Sequence, residues 1–515
     1  MTVNPRTSTL ALLATGALLL PAQAASASHR TLPARPALAE AGSGTVTVSL
    51  TGPARPVTPA MMGLSGVDTS GPLWNDPAFD AVLQKFSPGV LRYPGGTAAN
   101  YWSWQTGWFQ PGRWPSEPPV PVDDKLPVFG AGFRAAGAVP SYVLNLLTNQ
   151  GVVATDADNT AMLAGQLRFL DAAAARGWPV SMVELGNEVD LSGVRSTGPH
   201  AGEYARRFPT AAGYATQVNP WIAAIHRAFP GAQVAAVATD ANDIPGIAPR
   251  RTGWNAAVLP RLRGEDAVTI HENLRVYNAT WTPSQLLAFP YLHLQKLKAD
   301  ELPLFASYRL PVWITAFGLE DLTQGQVFGG TWLSGLFDAE QALRFLGVPI
   351  VKHLQFYSSV GNYKAAIFAN DKGFGAAGPS TVPLSLTAGG TALAMIEPAC
   401  RRASAASPLA FAPDPPLGQT GAPALAGTGL STPGGPELLL ENLSSRAITV
   451  SLAGIFPAAV TTTQITAPSP TTLVTGPGST TTSTTTRSNG LVQLAPYSLS
   501  DISSSQAEVP PRLIG

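Results

Sequence analysis

Eight short apolar runs, separated by stretches long enough to form helices, recur between residues 60 and 359. Apolar runs bounded by turn residues are typical of buried strands, and parallel strands need helical crossovers between them. The clearest helices are predicted at 159–177 and 337–347. Eight such units favour a (β/α)8 TIM barrel. The predicted strands are 60–66, 89–96, 139–148, 179–188, 232–239, 266–272, 310–318 and 350–359.

An open doubly wound sheet is the main structural alternative. That fold usually carries a glycine-rich phosphate loop directly after its first strand. The turn that follows "AMMGLSG" (60–66) lacks the pattern. The barrel is therefore the favoured interpretation.

The sequence pattern changes near residue 376. Short alternating segments such as "ELLLENL" and "AITVSLAG" are separated there by Gly, Pro and Ser, which predicts a C-terminal β-sandwich over 376–515. Its Thr/Ser-rich stretch 466–490 is predicted to be a long mobile loop. The strand-like segment 44–54 has no place in a barrel over 55–375, so we expect it to pair with the sandwich.

The N-terminus has the features of a secretory signal peptide. Arg6 precedes the apolar run "LALLATGALLL", and "PAQA" offers a cleavage site near Ala24, with "ASA" at 25–27 as the alternative. The run is too short to span a bilayer. We therefore predict a signal peptide over 1–28, a linker over 29–43, a secreted (extracellular or periplasmic) protein and no membrane association after cleavage. The only cysteine, Cys400, excludes an internal disulfide.

Composition argues against several classes of function. Only 12% of residues are charged, and the 32 basic residues balance the 32 acidic ones, which is unlike a nucleic-acid-binding surface. The six histidines form no HxxxH or HxH pair. Because zinc needs three or four convergent ligands, we expect no metal site, and we predict no cofactor.

The predicted strand ends carry the candidate active-site residues, since the active site of a TIM barrel lies at the C-terminal ends of its strands. "ELGNE" closes the fourth strand and brings Asn187 and Glu188 to the rim, and His271 ends the sixth. Acids and amides bond sugar hydroxyls. These residues predict a cleft that binds an oligosaccharide or glycoside.

Aromatic residues follow the second strand in "RYPGGTAANYWSW". Tyr93, Trp102 and Trp104 are predicted near the rim, where aromatic faces can stack on sugar rings. Burial in the core is an equally good interpretation of this stretch.

Glu188 is the candidate general acid. Glycoside cleavage normally uses two carboxyl groups, and a partly desolvated Glu holds its proton to higher pH. Asn187 could bond the sugar 2-hydroxyl. The structural alternative is a carboxylate at the start of the following helix. Glu184, on the same strand, needs a partner if it is buried, and we predict a structural ion pair with Arg92.

The segments "LRYPGGTAANYWSWQTG", "YVLNLLT" and "VELGNEVDLSG" together resemble clan A retaining glycoside hydrolases. The resemblance is to the heparanase and β-glucuronidase group and to the α-L-arabinofuranosidases, and it runs from about residue 45 to the C-terminus. It implies that Glu188 is the acid/base. It also implies a nucleophilic Glu within "TEF" or "TEW" at the end of strand seven, which maps onto Ala316 in "ITAFG". His271 matches a position that orients the nucleophile.

Alanine cannot serve as a nucleophile. The chain is therefore a natural relative that only binds glycan, an engineered Glu→Ala variant, or an enzyme in which another carboxylate has taken over. Glu272 should face away from the barrel axis if His271 faces it. Glu320, and less so Asp321, are expected on the following loop, where an inverting base could lie. We therefore expect a protein that acts on or binds uronic-acid- or pentose-containing glycans, with a non-catalytic carbohydrate-binding protein as the alternative.

Overall fold

The computed structural model describes residues 44–66, 74, 76–110, 125–193, 201–240, 248–368, 384–487 and 490–505. The predicted signal peptide (1–28) and linker (29–43) lie outside the described residues. Among the helices in these ranges, none combines the length and apolar character that a bilayer span requires.

The strands and helices follow in chain order. The strands are β1 Val46–Leu50, β2 Arg55–Pro56, β3 Met62–Ser65, β4 Val90–Tyr93, β5 Trp102–Ser103, β6 Trp108–Phe109, β7 Val139–Val143, β8 Thr148–Asn149, β9 Val152–Val153, β10 Met182–Leu185, β11 Gln233–Val237, β12 Ala267–Val276, β13 Val312–Asp321, β14 Val351–Tyr357, β15 Val360–Gly361, β16 Ile367–Phe368, β17 Ala405–Ala412, β18 Leu425–Thr432, β19 Gly435–Asn442, β20 Ile448–Ser451, β21 Val460–Thr466, β22 Thr481–Arg487, β23 Leu491–Leu494 and β24 Ser498–Ser504. The helices are α1 Pro77–Phe86, α2 Leu126–Ala136, α3 Asn159–Ala174, α4 Glu203–Arg207, α5 Ala211–Ala228, α6 Ala248–Arg251, α7 Trp254–Val258, α8 Pro283–Asp300, α9 Leu302–Ser307, α10 Trp332–Leu346 and α11 Ala388–Arg402.

Eight parallel strands close into a barrel in the order β3, β4, β7, β10, β11, β12, β13 and β14. Each lies wholly or largely within one of the eight predicted apolar runs, so the TIM-barrel prediction is confirmed. The two clearest predicted helices are also present, as α3 and α10. The active-site prediction depends on this closure, because it brings the C-terminal strand ends to one rim.

The barrel interior is apolar at its base and polar above. Val90, Met182 and Trp313 belong to a buried apolar cluster that draws on five of the strands. Further along β4 and β10, the Arg92 Nε and Nη2 atoms donate to the Glu184 carboxylate at 3.0 and 2.8 Å, and both side chains are fully buried. The predicted structural ion pair is therefore confirmed.

The C-terminal strands form a second sheet system with its own core. The strand path β22-β21-β24-β19-β18-β17-β1-β20-β23 folds over a cluster that includes residues Val48, Leu438 and Val492. In this β-sandwich, β1 pairs antiparallel with β17 and parallel with β20. The first strand of the described chain therefore belongs to the C-terminal domain.

The Thr/Ser-rich stretch 466–490 is not one continuous loop, as we predicted, because part of it forms a strand. Residues Thr481–Arg487 form β22, an edge strand that pairs along its whole length with β21. Threonine is β-branched and favours strands, and facing Thr hydroxyls such as those of Thr463 and Thr484 approach to 3.3 Å. Composition suggested a loop, but strand propensity and pairing give residues Thr481–Arg487 regular structure.

The barrel ends later than the predicted boundary at residue 375. Helix α11 packs against α1, α10 and β3, so the last crossover helix lies at 388–402. The sequence obscured this helix because Gly389, Gly390 and Pro398 are poor helix formers. A Cβ at Gly390 would lie 1.8 Å from the Ala366 carbonyl oxygen, so close packing requires a glycine there.

Candidate active site

A cleft opens at the C-terminal ends of β10, β11 and β12. The space within the cleft and its open mouth is about 450 Å³, and six ionisable side chains contribute to its lining. Five lie within or just after these barrel strands, and one is on the short helix α6. They are Glu188, Asp190, Asp240, Arg251, His271 and Arg275. The predicted residues Glu188 and His271 therefore lie in one cavity.

Glu188 reaches the cleft through an unusual backbone conformation. Its φ angle is +51°, in the left-handed region, and Gly186, two residues earlier, has a φ of +95°. A non-glycine residue in this region carries strain, and such residues cluster at functional sites. The turn leaves the Glu188 side chain 23% exposed at the rim.

Both carboxylate oxygens of Glu188 are occupied. The His271 Nδ1 atom lies 3.1 Å from Oε1, and the Asn187 Nδ2 atom donates to Oε2 at 3.3 Å. Burial alone would raise the pKa of Glu188, but the hydrogen bond and charge of His271, together with the charges of Arg275 and Arg92, outweigh burial and lower this pKa to about 2. The predicted raised pKa is therefore wrong for this conformation. The carboxyl is desolvated, but it lies among cations.

Asn187 connects Glu188 to the barrel interior. It is fully buried, and its Oδ1 accepts a hydrogen bond from Arg92 Nη2 at 3.2 Å while its Nδ2 donates to Glu188. The Arg92–Glu184 pair thus supports the orientation of Glu188 through Asn187.

The predicted aromatic platform lies mainly in the core. Tyr93 stacks on Phe129 with ring centroids 4.4 Å apart, and its hydroxyl accepts a hydrogen bond from Trp102 Nε1 at 3.0 Å. The half-buried Trp104 ring packs 5.9 Å from Phe169 on α3. The described residues that line the cleft include none of the three predicted aromatics. The inward direction of Arg92 explains why its neighbour Tyr93 faces the surrounding helices.

Ala316 lies beside His271. The two residues are in register on adjacent parallel strands, after a bulge that absorbs Thr315. On β14, Leu354 pairs with Ile314 and Phe356 pairs with Phe317. Gln355 therefore lies alongside positions 315 and 316. Gln355 is fully buried, and neither its Nε2 nor its Oε1 has a hydrogen-bond partner among the described residues. Ala316 is thus flanked by His271 on one neighbouring strand and by the segment of β14 that carries Gln355 on the other.

Glu320 lies on β13, which continues beyond the predicted end of the strand. Its carboxylate accepts from Arg275 Nε at 2.6 Å and from Lys364 Nζ at 3.2 Å. Burial would raise the pKa of Glu320, but the Lys364 and Arg275 charges lower it. The predicted position on a loop is therefore wrong, and the carboxylate is held in two ion pairs.

Two other carboxylates point away from the cleft. Asp321 accepts hydrogen bonds from the backbone N–H groups of Thr323, Phe328 and Gly329 at 2.8–3.0 Å, so it stabilises a turn and cannot serve as the inverting base. Glu272 contacts the helix layer, as expected, and its Oε2 lies 2.6 Å from His293 Nε2.

An ion-pair network that was not predicted from the sequence lines the cleft together with His271. The Arg251 Nε atom lies 3.0 Å from Asp190 Oδ2, and its Nη2 atom contacts Asp240. Burial raises the pKa of Asp190, the Arg251 charge opposes this rise, and the Glu188 and Asp240 charges add to it. Asp190 follows "GNE" by two residues, and Asp240 directly follows the predicted fifth strand. Their positions after strand ends, where the active site of a barrel lies, were the sequence signal that could have identified them.

Comparison with known proteins identifies the fold. No protein-family model and no curated protein matches the sequence. The GH51 α-L-arabinofuranosidase of Thermotoga petrophila RKU-1 superimposes with a TM-score of 0.66 at 14% identity, covering 89% of this chain and 99% of that one. A 4-O-α-L-rhamnosyl-β-D-glucuronidase of Fusarium oxysporum 12S gives 0.56 at 16% identity, covering 89% and 100%. A GH30 endoxylanase of Clostridium papyrosolvens C71 gives 0.51 at 10% identity, covering 90% and 100%. At these identities the likeness establishes the architecture of barrel and sandwich.

Proposed function

We propose that this chain is an exported, glycoside hydrolase-like protein whose cleft binds a glycan, with Glu188 in the acid/base role and the nucleophile position occupied by Ala316. One observation carries the proposal. His271 contacts the Glu188 carboxylate through Nδ1 and lies in register with Ala316 on the next strand. Glu188 and position 316 therefore flank the same histidine at the barrel rim.

The chemistry available to this arrangement is incomplete. Retaining hydrolysis needs one carboxylic acid to protonate the leaving oxygen and one carboxylate to attack the anomeric carbon. The Ala316 methyl group can form no such bond. Because the surroundings hold the pKa of Glu188 at about 2, this carboxyl has no proton to donate at neutral pH. Glycan can bind, but turnover without an added nucleophile should be several orders of magnitude below that of a complete enzyme.

The substrate class is proposed from the proteins that share the architecture. Two of them are named for arabinofuranoside and glucuronide cleavage. We propose a pentose- or uronic-acid-containing glycan as the ligand. The polar lining of the cleft, with Asp190 and Asp240 facing Arg251, suits sugar hydroxyls.

A purely carbohydrate-binding protein is the second candidate, favoured by the ionised state of Glu188. Inverting hydrolysis with Glu320 as base is less well supported, because Arg275 and Lys364 already hold its carboxylate. A Glu320→Gln variant separates these cases, since only an inverting enzyme would lose activity.

A panel of aryl pentosides and uronides, assayed with and without azide or formate, tests the proposal. We expect weak or no turnover alone, and cleavage of aryl glycosides with good leaving groups when the small anion is added, because these need no proton from Glu188. Rescued cleavage of poor leaving groups should appear only at acidic pH, where Glu188 regains its proton, and should be lost in Glu188→Gln. Oligosaccharide binding without rescue would support the binding protein. Neither binding nor turnover across the panel would contradict both candidates.

A further inference from the structure

Three metal-ligating side chains converge behind the cleft. Asp240 follows β11, Glu272 lies on β12 and His293 lies on α8. One ligand atom from each side chain lies within 4.8 Å of the other two. All three residues are buried, with exposures of 6% or less. They come from three separate elements, so no short sequence motif predicts the cluster.

Glu272 supplies a second, independent observation. Its Oε2 lies 2.6 Å from His293 Nε2, but its Oε1 is buried and has no hydrogen-bond partner among the described residues. Leaving a charged group's buried oxygen unpaired is costly. A cation between Glu272, His293 and Asp240 would satisfy this oxygen.

We propose that Asp240, Glu272 and His293 bind one divalent transition-metal ion, with Zn²⁺ as the best match. An imidazole nitrogen and two carboxylate oxygens are ligands that Zn²⁺ accepts, and three protein ligands leave a fourth position open. Ligand distances of about 2.0–2.2 Å require ligand atoms about 3.3–3.5 Å apart. Glu272 Oε2 and His293 Nε2, which are 2.6 Å apart, must therefore separate if both bind the ion, and pairs up to 4.8 Å apart must approach. Zn²⁺ replaces the proton on His293 Nε2, which leaves to solvent as the N–Zn bond forms.

The cleft provides an access route to this site. Asp240 and Arg251 both line the cleft, and Arg251 contacts the Asp240 carboxylate. Arg251 also pairs with Asp190, which neutralises part of its charge and lowers its repulsion of the incoming cation. Metal binding therefore draws on a residue of the cleft wall and couples the buried site to the glycan cleft.

Zinc titration of the full chain without a histidine tag tests the proposal. Isothermal titration calorimetry should find one equivalent of bound Zn²⁺ in the wild type. Binding should weaken by more than about a hundredfold in Glu272→Gln and His293→Gln, because even outer-sphere changes cost 10- to 100-fold in affinity. His226→Gln is the matched control. His226 forms a similar carboxylate pair with Asp266, at 2.9 Å, and should leave zinc binding unchanged.

X-ray absorption of the zinc-loaded wild type provides a readout that does not depend on the variants. We expect imidazole and oxygen ligands without sulfur, since all three proposed ligands coordinate through nitrogen or oxygen. Circular dichroism of the metal-free variants checks that they fold. The absence of stoichiometric zinc in the wild type, or unchanged binding in both ligand variants, would overturn the site, as would sulfur coordination.

Discussion

Restoring a carboxylate at position 316 is the most informative perturbation of the cleft. In Ala316→Glu, the new carboxylate would lie between His271 on β12 and the segment of β14 that carries Gln355, whose buried amide has no hydrogen-bond partner among the described residues. Carboxyl groups of a retaining pair lie about 5–5.5 Å apart. At an effective dielectric constant of about 20, two such charges repel by about 3 kcal/mol.

That repulsion changes the protonation of Glu188. About 3 kcal/mol corresponds to about two pH units, so the pKa of Glu188 should rise from about 2 toward about 4. If His271 turns to the new carboxylate, Glu188 also loses its first hydrogen-bond partner and its pKa rises further. The variant would then hold both an attacking carboxylate and an acid that can be protonated near mildly acidic pH.

The assay is hydrolysis of the aryl glycoside panel by wild type, Ala316→Glu and the neutral control Ala316→Gln. We expect a gain of about 10⁴-fold or more in Ala316→Glu, equivalent to about 5 kcal/mol of transition-state stabilisation, and no gain in the control. Labelling of residue 316 by a mechanism-based fluorosugar would identify the covalent intermediate. A folded Ala316→Glu protein that binds glycan but gives neither turnover nor labelling would refute the reasoning.

Three further predictions follow from the described contacts. Replacing His271 with Ala should raise the pKa of Glu188, because it removes the hydrogen bond and charge that lower it; carboxyl chemical shifts across a pH titration measure this, and an unchanged shift would contradict the account. Arg92→Met should lower the free energy of unfolding by about 3–5 kcal/mol, because it leaves Glu184 buried without its partner; a urea titration showing a loss below about 1 kcal/mol would count against this pair. Burial raises the pKa of Glu397 well above its usual value, so the folded state favours the neutral carboxyl. The contribution of this group to stability is therefore complete below about pH 4.5 and is lost as pH rises through the folded-state pKa. Glu397→Gln should therefore stabilise the protein more at pH 8 than at pH 4, and an equal effect at both would contradict the assignment.

The sequence was sufficient for the barrel because its strands are nearly continuous apolar runs. Buried parallel strands need such runs, and the register within them placed Arg92 and Glu184 on the same interior surface. The same alternation was not applied to Tyr93, which is next to the inward-facing Arg92 and faces outward in the structure, where it stacks on Phe129. The aromatic prediction gave residue type more weight than strand direction.

Other features depend on contacts between distant residues. The lowered pKa of Glu188 requires His271, which lies 83 residues away, and no local pattern specifies that contact. Helix α11 forms despite Gly390 and Pro398 because tertiary packing outweighs intrinsic propensity. Tertiary contact likewise assembles Asp240 with Glu272 and His293.

The configuration of an azide adduct tests the central claim most directly. A 2,4-dinitrophenyl glycoside needs no proton from Glu188, because its leaving group is already a stable anion. With the wild-type chain and azide, the account predicts a glycosyl azide whose anomeric configuration, read by proton NMR, is opposite to that of the substrate. Azide in the space beside Ala316 would attack from the side that a nucleophile normally occupies. Finding no glycosyl azide with any glycoside that the protein binds, or an adduct with retained configuration, would contradict the claim that position 316 faces the anomeric carbon.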